Sequence, residues 1–300
     1  MRRSARRARG RKVAFALKCA IEAKDLCYTY EDGTTALDHV SFFAEEGCVT
    51  GILGSNGAGK STLFLNLNGV LTPAGGEVLL DGEKVSYTRQ GLTELRRKVG
   101  IVFQDPDDQL FSADVYRDVS FGPVNLGLPE DEVRRRVESA LELTGISDLR
   151  GKPTHALSYG QKKRAAIAGV AAMQPRVMIL DEPTAGLDPQ GVSDIMKLLK
   201  KLRSELGMTI ILATHDMDIV PLYCDRVFLL SGGKMLRSGT PEEVFSDPEE
   251  LRRNHLRLPR IAHLMEVLSD RDGVDVDRSA ATISAARREI LRLLQEETDA

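Results

Sequence analysis

The chain has 300 residues, 42% hydrophobic and 28% charged, enough for a core of ordinary size in one large domain or two smaller ones. A formal net charge of -3 gives no overall basic field, which argues against nucleic acid as a partner. Cys19, Cys27, Cys48 and Cys224 are scattered and form no C-x-x-C pair, so they read as reduced thiols in a cytosolic setting.

In chain order, Arg2, Arg3, Arg6, Arg7, Arg9, Arg11 and Lys12 precede a short apolar patch at 13–21. That outline resembles a signal peptide, but Lys18 and Glu22 interrupt the patch, and no window approaches the roughly 20 apolar residues that span a bilayer. Residues 1–20 therefore read as a disordered basic tail, with contact to anionic lipid as the alternative. From Ile21 onward short β-rich runs alternate with longer amphipathic stretches, the pattern of an α/β fold on a largely parallel sheet. Strands are expected at 49–53, 99–103, 177–180, 209–214 and 226–230, and helices after Lys60 and at 130–143, 160–173 and 189–205. Residues 105–158 lack strand character and read as helices joined by Gly and Pro loops. Beyond Gly239, Thr240-Pro241-Glu242-Glu243 opens a helix, and Ile283, Ala286, Ile290 and Leu294 form an apolar stripe at helical spacing, suited to packing on the domain or on a second copy.

The segment Gly54-Ser55-Asn56-Gly57-Ala58-Gly59-Lys60-Ser61-Thr62 carries the pattern G-x-x-x-x-G-K-[ST] directly after an apolar strand and before a helix. Its glycines permit a tight loop whose N–H groups face phosphate oxygens, and the helix N-terminus adds its positive dipole end. The ligand expected here is ATP with Mg2+: Lys60 neutralises the β- and γ-phosphates, the Ser61 hydroxyl ligates Mg2+ and Thr62 adds a phosphate contact. The apolar run at 177–180 ends in Asp181 and Glu182, followed by Pro183. Asp181 suits Mg2+, usually through a water, and Glu182 suits general-base activation of the attacking water.

Leu157-Ser158-Tyr159-Gly160-Gln161, just upstream of the acidic strand, resembles the signature motif of ABC ATPases. Tyr159 replaces the more frequent glycine, while Ser158 and Gly160 stay in place. The resemblance covers about residues 21–239. It implies a P-loop NTPase (ABC ATPase) fold with a mainly parallel sheet, an antiparallel β subdomain, a helical subdomain at about 105–158 and a C-terminal helical extension at 241–300, the nucleotide-binding domain spanning 21–240. It also implies Gln104 as the Q-loop glutamine and a further Mg2+ ligand, Ala185-Gly186-Leu187-Asp188 as the D-loop, and His215 as the switch histidine. Tyr30 resembles the aromatic that stacks on adenine, with Tyr28 the second candidate. In the family the signature serves ATP bound by the opposite subunit, which implies a second ATPase subunit, as a homodimer or a paralogous heterodimer.

Two further stretches, residues 102–111 continuing to Phe121-Gly122-Pro123, and Arg257-Leu258-Pro259-Arg260-Ile261-Ala262-His263-Leu264, resemble the energy-coupling factor group, particularly its cobalt-transport ATP-binding subunits. That likeness implies ATP hydrolysis at the cytoplasmic face of the cell membrane, driving import through a membrane-embedded coupling component and a substrate-binding component. Cobalt or nickel is the first cargo expected and a vitamin the second. Asp105, Asp107 and Asp108 read as loop architecture rather than metal ligands. A non-transport ABC ATPase acting on ribosomes or DNA fits less well, because the chain carries one cassette and no long coiled-coil insert.

Overall fold

The computed structural model describes residues 18–299; of the basic tail read at 1–20, residues 1–17 lie outside the described residues. Strand β1 begins at Cys19, two residues before the expected start of the domain, because Ala20 and Ile21 are fully buried. With β1 (Cys19–Thr29), the strands β2 (Thr35–Glu45), β4 (Gly75–Leu80) and β5 (Glu83–Lys84) form an antiparallel sheet in the order β2-β1-β4-β5. The second sheet contains β3 (Val49–Leu53), β6 (Val99–Val102), β7 (Val177–Asp181), β8 (Thr209–Ala213), β9 (Arg226–Ser231) and β10 (Lys234–Gly239). Its order is β10-β9-β3-β8-β7-β6, parallel except for β10. β3, β7 and β8 are buried along their whole length, which is why they read as continuous apolar runs.

Helix α1 (Lys60–Leu67) follows β3, and α2 (Arg89–Lys98) leads into β6. Next come α3 (Val115–Asn125), α4 (Glu130–Thr144) and α5 (Tyr159–Ala172), which pack on one another. The helical layer thus continues past residue 158: α5 carries a run of small residues, Ala165 to Ala172 apart from Ile167 and Val170, that lets it lie close against α3, α4 and β6. α6 (Pro189–Leu206) starts on an Asp188 cap with proline in its first turn and stops at Gly207, whose φ of 64° only glycine adopts at little cost.

The remainder holds α7 (Val220–Tyr223), α8 (Pro241–Phe245), α9 (Pro248–Arg253), α10 (Arg260–Asp270) and α11 (Ile283–Asp299). Thr240 and Glu243 close a capping box at the start of α8. Leu251, Leu256, Leu258 and Ala262 join the main core, whereas Met265, Val276, Ala280 and Ala286 form a small core of their own. Of the apolar stripe on α11 only Ala286 is buried; Ile283 is 74% exposed, Ile290 42% and Leu294 55%. Among the described residues no helix is long and apolar enough to cross a membrane.

Candidate functional site

The strand order brings together side chains scattered over more than half the chain. The loop after β3, the carboxylates at the end of β7 and His215 after β8 stand at the carboxyl ends of three adjacent strands, and Gln104 follows the neighbouring β6. That edge is where open α/β sheets hold ligands. Tyr30, residues 56–62, Gln104, Asp181 and Glu182 line one cavity of about 420 Å³.

The loop owes its shape to close backbone approach. A Cβ on Gly54 would run into the Leu230 carbonyl and lie 2.9 Å from the Ala58 Cβ; Gly59, at φ 105°, would place one 2.5 Å from the Ala36 carbonyl. Lys60 is buried and folds back on the loop, donating to the carbonyls of Gly54 at 2.7 Å and Ser55 at 3.1 Å. Ser61 donates to Asp181 Oδ2 at 2.6 Å. This pairs a hydroxyl with a carboxylate, an all-oxygen donor set suited to a hard cation that keeps most of its other ligands as water and phosphate. The Tyr30 hydroxyl lies 2.8 Å from Thr62 Oγ1, and its ring meets Tyr28 edge to face at 5.0 Å. Tyr30 therefore stands at the rim of the cavity with Tyr28 behind it.

Glu182 has a positive φ of 45°, a conformation that costs a non-glycine residue about 1–3 kcal/mol and concentrates at functional positions. Its buried carboxylate shares a 2.7 Å hydrogen bond with His215 Nδ1 and accepts from the His215 backbone N–H at 3.3 Å. The hydrogen bonds aim the carboxylate at a cavity it could otherwise rotate away from.

The signature residues do not line this cavity. Leu157 is buried, and exposed Ser158 caps α5, accepting from the Gln161 N–H at 3.4 Å while Gln161 Oε1 accepts from the Ser158 N–H at 3.0 Å. Tyr159 rests on Gly186, where an added Cβ would come 2.9 Å from Tyr159 Cε1, and Leu187 packs toward Gly160. Asp188 caps α6 by accepting from the Gly191 N–H at 2.7 Å. The acidic loop is tied down as well: Asp105 accepts from the Asp107 N–H, and Asp107 pairs with Lys162.

Three sets of residues carried no expectation of a place at this site, although Arg257 stands in the stretch that resembles the energy-coupling factor group. Thr34, Thr35 and Ala36, just past the Asp32-Gly33 turn between β1 and β2, line the cavity beside Tyr30; the Asp-Gly pair was the available hairpin signal. Buried Lys163 touches both Gln104 and Glu182. His255, Leu256 and Arg257, just past α9, line an adjoining cavity of about 830 Å³ with Asn56, Gln104, Glu182 and His215. No local pattern in the sequence points from that stretch to the loop at 54–62.

A family model described as ABC transporter matches residues 37–185. Over 270 residues the chain is 58% identical to the energy-coupling factor transporter ATP-binding protein EcfA2 of Clostridium perfringens, covering 90% of this chain and 95% of that protein. This chain belongs to the energy-coupling factor ABC transporter ATP-binding subunits. A second relative of this ECF ATPase, EcfA of Methanocaldococcus jannaschii, is 53% identical over 276 residues, 92% of this chain and 98% of that protein. Among solved structures, cbiO1 of Clostridium perfringens, described as part of the ABC transporter complex cbiONQ, superposes with a TM-score of 0.73 at 59% identity, covering 83% of this chain and 99% of that one. A dimeric ATP-binding cassette in a post-hydrolysis state, bound to ADP and Pi, gives 0.67 at 30% identity, over 74% of this chain and 98% of that one. The ECF ATPase binds ATP and couples its hydrolysis to transport.

Proposed function

We propose that this ECF ATPase works as one half of an ATPase pair at the cytoplasmic face of the cell membrane, powering import of cobalt or nickel through separate membrane subunits. The observation that carries the reading is the division of the site: loop and carboxylates line one cavity, with His215 hydrogen-bonded to Glu182 from the adjoining one, while Ser158 and the start of α5 lie outside both and exposed. ATP fits with its phosphates over residues 54–62 and its adenine toward Tyr30. Ser61 and Asp181, already 2.6 Å apart, and Gln104 at the cavity wall are the groups to hold Mg2+, which supplies charge neutralisation along the phosphates. Lys60 exchanges its two loop carbonyls for phosphate oxygens. Glu182, oriented by His215, takes the proton of the attacking water. The site then needs a second subunit, whose Ser158 and helix N-terminus meet the γ-phosphate.

A surface for the membrane coupling component lies beyond Gln104. Phe111 and Phe121, 65% and 51% exposed, stack edge to face at 4.7 Å beside a groove of about 280 Å³ that also includes Phe103, Gln109 and Met173. Gln109 accepts from the Phe103 N–H and donates to the Ala166 carbonyl, so a load on the groove reaches both the Q-loop and α5. An exposed aromatic pair of this kind suits burial against an apolar partner helix. The outward stripe on α11 is read as a self-association surface; truncation after Gly239 should weaken dimerisation in sedimentation and leave nucleotide binding in place.

Cargo rests on the resemblance of residues 102–111, 121–123 and 257–264 to the cobalt-transport subunits, with a vitamin as the second reading. Purifying the native complex and identifying its membrane subunits tests both. A cobalt-type substrate component supports the first, a vitamin-binding component replaces it with the second, and a chain that carries no membrane subunit through purification contradicts the transport role.

A further inference from the structure

Lys163 lies one turn into α5 and is fully buried, an unusual place for a lysine. Its ammonium donates to two backbone carbonyls, that of Gln104 at 2.5 Å and that of Glu182 at 3.3 Å, and lies 5.7 Å from the centre of the Tyr159 ring. Burial pulls its pKa below the ordinary lysine value, while the charges of Asp105, Asp181 and Glu182 oppose that fall. A buried cation of this sort adds little net stability over a well-packed apolar residue, so stability alone does not account for it. Its two acceptors belong to the residues that flank the attacking water, and its helix is the one that opens at Ser158. The same first turn of α5 touches Gly186 and Leu187 through Tyr159 and Gly160.

We propose that Lys163 is a positioning residue for hydrolysis: its ammonium pins the signature helix to the backbone of Gln104 and Glu182, so that engagement of Ser158 with the partner subunit's ATP is carried to this chain's own water-activating groups. The inference rests on the paired-subunit reading above. Glu182 sits in a left-handed conformation that the lysine bond helps to hold, and a displacement of about 1 Å at such a group lowers turnover by up to about 100-fold. Binding of ATP depends on residues 54–62 and is untouched by the pin.

The test compares full-length chains carrying Lys163→Met, which keeps the length and apolar stem and removes the donors, and Lys163→Gln, whose amide still donates to one carbonyl. The expected result is a kcat about 10- to 100-fold lower for Lys163→Met, with ATP affinity within about twofold of the parent and partial recovery in Lys163→Gln. In parallel, ATP-dependent dimer formation is measured for Glu182→Gln alone and combined with Lys163→Met. Dimers in both, with turnover of Lys163→Met at the parent rate, overturn the positioning role. So does loss of ATP affinity in step with kcat in both lysine variants, or loss of the dimer on adding Lys163→Met, since either makes the lysine a structural support. Absence of ATP-dependent pairing in Glu182→Gln, both by itself and with a paralogous ATPase subunit added, would instead overturn the paired-subunit reading.

Discussion

The phosphate loop at 54–62 and the signature segment at 157–161 each lead into a helix, α1 and α5, and in the proposed pair each helix N-terminus would face phosphate. The loop is clamped: it follows the central strand β3, its glycines lie against the carbonyls of Leu230 and Ala36, and Lys60 is buried within it. The signature stands at the exposed start of the otherwise largely buried α5, with Ser158 exposed, fixed by a capping box and by contact with Gly186 and Leu187. A site needing both has one half built into the core of the chain and the other half facing outward. Substitutions in the first should therefore damage fold and binding together, and substitutions in the second should damage catalysis while largely sparing both.

The largest stability loss is expected from Gly54→Ala, whose added methyl meets the Leu230 carbonyl and the Ala58 methyl: about 2 kcal/mol or more in denaturant unfolding, with ATP binding falling alongside. Ser158→Ala removes the cap of α5 and should cost about 1 kcal/mol, with the ATP affinity of the isolated chain unchanged and turnover of the paired form reduced. An affinity loss there would place the serine in its own chain's site and erase the contrast.

A milder effect should appear in the C-terminal extension at low pH. Hydrogen bonding to Arg252 holds the Glu266 carboxyl below its ordinary value, with His263 adding to the shift. Since the folded pKa lies below the unfolded one, this link stabilises the fold above the ordinary glutamate range, and the contribution is lost as pH falls through the lowered value. Hydrogen exchange at 248–270 should quicken in acid before exchange in β3 or β7 does, and Glu266→Gln should abolish that pH dependence. The smallest stability change belongs to Gly160→Ala. Its added Cβ has only Leu187 Cδ2 nearby, at 3.7 Å, and alanine favours the helix, so unfolding should move by no more than about 0.5 kcal/mol. Turnover should nonetheless drop about tenfold, measured under conditions where subunits pair.

What could be read from the sequence follows the physics of each part. β3, β7 and β8 are buried throughout because both faces are covered, so their positions, and with them the placing of the loop, Asp181, Glu182 and His215 at adjacent strand ends, were legible in the sequence. The antiparallel sheet was expected only through resemblance, since β1 alternates imperfectly: its pairing with β2 slips at several points, and Asp25 takes a positive φ in mid-strand. α2 buries only Leu95 and shows no apolar face to find. Lys163 was hidden in the run Lys162-Lys163-Arg164, which reads as solvated charge until the Q-loop and β7 close over it. His255 and Arg257 reach the site only because the chain doubles back after α9, a tertiary event that leaves no local pattern.

The claim that one chain holds an incomplete site is met most directly by sedimentation of Glu182→Gln with and without ATP and Mg2+. Removing the general base should slow hydrolysis by about 10²- to 10⁴-fold and leave binding intact, so the closed pair should accumulate. The expected result is pairing that ATP and Mg2+ tighten, the gain disappearing when the signature is also disrupted. No gain in pairing at saturating ATP, whether the chain is alone or mixed with a paralogous ATPase subunit, would contradict the shared site.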